Sequence, residues 1–171
     1  MRWILAGLIV VLGGLSGVYA SFLGKRRLYF WIELKRMVLL LRGEMRYGMY
    51  PIGEACSHVA DKMDGNRKKF LLELEDQIKK REEKDFSSIW EKSADKWFPR
   101  EYFQKGEWNQ ILQLGNMLGY LDLEMQMKGF SLILEQMDES IDRLKLQQEK
   151  NSRVYHTLGI GLGLMAAIVW I

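Results

Sequence analysis

Cysteine occurs once in this chain of 171 residues, and histidine and proline twice each. The lone Cys56 can close no internal disulfide, so packing alone must hold the fold, as suits a reducing compartment. The sequence has no His-Glu-x-x-His zinc pair, no Cys-x-x-Cys pair and no phosphate-cradling glycine loop. A Ser-His or Cys-His site would have to use His58 or His156. Di-iron sites in helical bundles need paired Glu-x-x-His motifs, and none occurs. No catalytic residue, metal or cofactor is therefore expected. The run Lys79 to Lys84, "KKREEK", mixes both signs and reads as a solvated loop or helix end rather than a nucleic-acid surface. Glu135, Asp138 and Glu139 lie opposite an apolar stripe and read as solvated.

Charge is also missing from both ends. Ile4 to Leu23 is a run of 20 uncharged residues, and Thr157 to Ile171 is another of 15. All 22 acidic residues, and 24 of the 25 Lys and Arg, lie between Lys25 and Arg153. A helix needs roughly 20 apolar residues to cross a bilayer, which the first run supplies. The second reaches only if Tyr155 and His156 sit among headgroups; otherwise it is a buried core helix. Trp3 and Trp170 suit one interface, and Tyr29, Phe30, Trp31 and Tyr155 the other. Val18-Tyr19-Ala20 before Ser21 resembles a signal-peptidase site. Against cleavage, Lys25, Arg26, Arg27, Lys150 and Arg153 gather on the inner side of the runs. That bias favours an uncleaved anchor with a cytoplasmic block. The expected organisation is a transmembrane helix over 1–23, a helical bundle over 24–156 and a second transmembrane helix over 157–171. The spans should pack through matching small-residue ridges, Gly13, Gly17 and Ser21 against Gly159, Gly163 and Ala167.

Between the ends no stretch alternates long enough for a strand, so the fold class is all-α, a bundle of about six helices. Leu28, Trp31, Ile32, Leu34, Val38, Leu39, Leu41 and Met45 set a helical stripe that should end near Met49, before Pro51. A short helix from Ile52 to about Met63 should close at Asp64-Gly65-Asn66. A third carries Phe70, Leu71, Leu74 and Ile78. Asp85 can cap a fourth, with Ile89 and Trp90, that closes at Pro99. A fifth is expected over Glu101 to Leu118, with Gly119 as a left-handed C-cap. Asp122 reads as the N-cap of a last helix striped by Phe130, Ile133, Leu134, Met137, Ile141, Leu144 and Val154. Gln126, one turn in, reads as solvated. Glu44 sits beside Leu41 and Met45, so it is either exposed or half-buried with a partner.

Two stretches carry more than composition: "LRGEMRYGMYPIGEA", Leu41 to Ala55, and "LGNMLGYLDLEMQ", Leu114 to Gln126. With the two apolar ends and the closing "YHTLGIGLGL", they resemble the stage III sporulation protein AB family. That family is similar to inner-membrane platform proteins of type II secretion and type IV pilus machines. The resemblance implies a non-enzymatic mother-cell membrane subunit of a channel apparatus facing the forespore, served by a secretion-type ATPase and other membrane subunits. Platform proteins carry two helical domains and this chain has one, so a homo-oligomer could supply the second. The implied partner surface is the region of the helix breaks: Glu44, Tyr47, Pro51, Glu54, Gly119, Tyr120, Asp122 and Gln126. The rival surface is the charged run from Lys79. A different reading keeps a secreted helical protein, cleaved after Ala20 and tethered in the membrane by its C-terminus.

Overall fold

The computed structural model describes residues 2–80, 85–119 and 122–170, and the side chains of 24–80, 85–119 and 122–150. Its helices are α1 (Arg2–Tyr47), α2 (Ile52–Ala60), α3 (Gly65–Lys80), α4 (Phe86–Trp97), α5 (Lys105–Leu118) and α6 (Leu123–Trp170), with a single 3-10 turn at Arg100–Tyr102. Among the described residues there is no strand. None of their helices is long and apolar enough to cross a membrane. The small-residue ridges and Tyr120 lie outside the described side chains.

Two compact units divide the chain: Met1–Tyr29 with Ile141–Ile171, and Phe30–Ser140. In the second, α1 turns Trp31, Leu34, Met37, Val38 and Leu41 fully inward. They meet Phe70, Leu71 and Leu74 of α3, Trp90 of α4, Ile111, Leu114 and Leu118 of α5, and Phe130 of α6 as one buried core. Each such side chain contributes roughly 1.5–3 kcal/mol on burial, so this packing, not helix propensity, fixes the arrangement. An aromatic cluster marks one end of it. Phe30 stacks edge-on against Phe98, Tyr102 and Phe103 at 5.4, 5.9 and 5.2 Å.

Three expectations are corrected. Helix α5 starts at Lys105 rather than Glu101, because Phe103 is drawn onto Trp31 and Trp108 (5.7 and 5.3 Å) and breaks the helix. The new start is secured by Gln104, whose amide donates to Glu107 Oε2 at 2.8 Å in a capping box. Gly119 ends α5 right-handed, at φ −72° and ψ −8°, so its role there is not the left-handed one. Ile32 and Leu39 face outward instead of into the stripe.

Candidate interaction site where the helix breaks converge

Helix α1 ends at Tyr47 because the backbone turns sharply at the next two residues. A Cβ at Gly48 would lie 2.5 Å from Tyr50 Cδ2 and 2.6 Å from the Glu44 carbonyl oxygen, so only glycine fits. Met49 follows at φ 58°, left-handed backbone that a residue with a long side chain rarely adopts. The Tyr50 amide then donates to the Glu44 carbonyl, and Pro51 leads directly into α2.

Glu44 is partly buried and partnered. Its Oε1 accepts from Lys62 Nζ at 2.6 Å, and its Oε2 lies 3.3 Å from His58 Nδ1. The Lys62 bond holds the carboxyl below its ordinary range; partial burial opposes this, and His58 adds to it. The His58 ring packs edge-on against Tyr50 at 4.4 Å. Both histidine and lysine lie one turn apart on α2's side of the break, so Glu44 clamps α2 to α1 across the linker. Of the two positions the sequence allows, exposed or half-buried with a partner, Glu44 takes the second.

The second quoted stretch arrives at the same place. Asp122 caps α6, its Oδ2 accepting from the Met125 amide at 3.0 Å. Gln126 is buried rather than solvated, and its Nε2 donates to the Leu118 carbonyl at 2.8 Å, tying α6 to the last turn of α5. A cavity of about 410 Å³ lies between the two stretches. From the first come Met45, Met49, Tyr50, Pro51 and Ile52, and from the second Leu118, Gly119, Leu123 and Gln126, with Phe86 closing it. Sequence separation of some seventy residues hid this convergence.

The expected site residues thus divide. Pro51, Gly119 and Gln126 line the cavity, Asp122 caps at its rim, and Glu44 braces it from α1. Tyr47 stands outward, 80% exposed, with Arg46 5.5 Å over its ring. Glu54 is exposed in the first turn of α2. Two further residues support the site: Gly115 of the second quoted stretch, whose Cβ would meet Trp90 Cδ1 at 2.5 Å, and Lys62. The glycine of the "LGNMLG" stretch was the available signal for the first; nothing in the sequence paired Lys62 with Glu44.

No group of three or more His, Cys, Asp or Glu that could hold a metal occurs among the described residues. Cys56 is fully buried, and burial pushes its thiol far above the ordinary range, leaving it protonated and unreactive.

Comparison with known proteins settles the kinship. A family model described as stage III sporulation protein AB matches residues 2–171. The chain belongs to the stage III sporulation protein AB family. A curated member, from Bacillus subtilis (strain 168), is 25% identical over 137 residues, 80% of each chain. A solved structure of stage III sporulation protein AB superposes with a TM-score of 0.60 at 23% identity. It covers 72% of this chain and 94% of the other, and at that identity supports the fold. The helical bundle and the sporulation kinship expected from the two stretches therefore stand.

Proposed function

We propose that this chain is a non-enzymatic membrane platform subunit of the sporulation channel complex between mother cell and forespore. Its apolar ends anchor it in the mother-cell membrane around the forespore, and its charged block stands in the cytoplasm. There it docks a cognate secretion-type ATPase and touches other membrane subunits of the complex. Family kinship supports the setting. Met49 carries the choice of surface: it is 78% exposed and held at a left-handed φ of 58° beside an apolar cavity. A bulky apolar residue kept both strained and wet is most simply explained by a partner that covers it. Tyr47 stands next to it, equally bare.

The test is recruitment. In sporulating cells, Tyr47→Asp with Met49→Asp should cut the ATPase recovered with membranes at least tenfold while helicity by circular dichroism is unchanged. Persistence of recruitment, with loss instead on reversing the charges of Lys79 and Lys80, would move the docking surface to that run. If neither change matters, the proposed partner is wrong.

A further inference from the structure

Within Phe30–Ser140, the outward faces of α1 and α6 have opposite character. At about 100° per residue, Ile32, Arg36, Leu39, Gly43, Arg46 and Tyr47 fall within one narrow arc of α1. That arc is basic and apolar and contains no carboxylate. On α6, Met125, Lys128, Leu132, Glu135 and Glu139 share a similar arc, all of them exposed. Its apolar residues are as bare as those of α1, with Leu132 42% and Ile32 41% exposed. Lys128 is bound to Glu124 at 3.0 Å. Among the described residues, Glu135, Glu139 and Arg46 have no ion-pair partner, and Arg36 has only Glu33 at 3.5 Å.

The two faces lie side by side. Lys35 pairs with Asp138, and Arg46 lines one open cavity with Leu123, Met127 and Ser131. These contacts set α1 and α6 antiparallel, with Lys35 level with Asp138 and Arg46 level with Met127. By the same register Arg36 stands at the height of Glu135 and Glu139, and Tyr47 at that of Met125. Gly43 lies between the heights of Lys128 and Leu132. Gly43 is half-buried, and a Cβ there would meet nothing within 4 Å, so no contact among the described residues explains a glycine at this point of the helix.

We propose that the occupant of this face is a second copy of the chain, related by a two-fold axis running along the helices. Each α1 then lies antiparallel on the partner's α6, heights are preserved, and every contact is made twice. Arg36 meets Glu135 and Glu139, and Leu132 enters the space that Gly43 leaves open. Both copies point the same way, as two chains anchored in one bilayer must; in that respect the inference rests on the anchored reading above. The face is roughly 22 Å long and 20 Å wide. Its area is at the low end for specific association, so the pair forms reversibly and confinement in a membrane favours it.

Disulfide trapping in the full-length chain tests this, because Cys56 is buried and stays silent. Two differently tagged copies, one Leu39→Cys and one Leu132→Cys, should form a mixed covalent dimer on copper-catalysed oxidation. Either variant alone should give at most a fifth as much. Arg36→Glu in both copies should lower the mixed product at least fivefold, and adding Glu135→Arg with Glu139→Arg should restore it. Restoration by the swapped charges also excludes misfolding as the cause of the loss. Absence of the mixed dimer, an equal yield of the Leu39→Cys homodimer, or indifference to Arg36→Glu each overturns the inference. Fractionating the same samples reports on the membrane anchor separately, so a soluble chain that still gives the mixed dimer would sink the anchored reading and leave the face intact.

Discussion

Glu44 illustrates how one carboxylate sets the geometry of a helix break. Its side chain joins Lys62 and His58, and its carbonyl receives Tyr50, so three contacts from one residue fix where the chain goes after α1. Solvent still reaches the group, which limits the pair to about 1 kcal/mol. Its folded pKa lies below the ordinary 4.5, so the contribution is complete above that value and fades as pH falls through the lower folded pKa. Glu44→Gln should therefore lower the melting temperature at pH 7 by a few degrees, and the difference from the parent should shrink below pH 4.5. A difference that is independent of pH would mean the ion pair is not its source. Gly115 acts by its lack of a side chain. Trp90 lies against it, with Nε1 donating to the Ile111 carbonyl at 2.8 Å, and a methyl group at 115 would sit 2.5 Å from the indole. Gly115→Ala should cost about 1–3 kcal/mol in chemical denaturation, because a buried indole pinned by a hydrogen bond cannot step aside freely.

At the scale of elements, boundaries written by local chemistry were legible and those written by packing were not. Pro51, Asp64-Gly65, Asp85 and Asp122 each act within one turn of themselves, and each marks a helix end in the structure. The start of α5 is different. Its break is set by Phe103 reaching Trp31, some seventy residues earlier, and its cap is a glutamine, a weak signal in sequence. The site shows the same division. Its residue types and the two stretches that hold them could be read in advance, while their meeting at one cavity, the partner of Glu44 and the burial of Gln126 depend on contacts far apart in sequence. The α5 start yields a test: Glu107→Ala removes the acceptor for the Gln104 amide and should cost about 1 kcal/mol. Hydrogen exchange should quicken first in the opening turn of α5, whereas uniform acceleration across the helix would show that Glu107 acts through the core instead.

For the whole molecule, the proposed membrane anchoring turns on which side holds the charged block. Basic residues beside both apolar ends favour the cytoplasm; cleavage after Ala20 would place the block outside. The structure simplifies the experiment. Labelling needs a thiolate exposed to reagent, and Cys56 is neither exposed nor ionised at neutral pH. It need not be replaced, and an added cysteine will report alone. Glu101 is a suitable position, exposed on the 3-10 turn and outside the core. In intact sporulating cells, Glu101→Cys should take up no membrane-impermeant maleimide, and after permeabilisation it should label fully, while the parent chain stays dark in both. Labelling of intact cells, or a mature chain beginning at Ser21, would put the block outside, and an ATPase could then not reach it. A signal in the parent after permeabilisation would instead show that α2 opens to solvent, contradicting the clamp that Glu44 makes with Lys62.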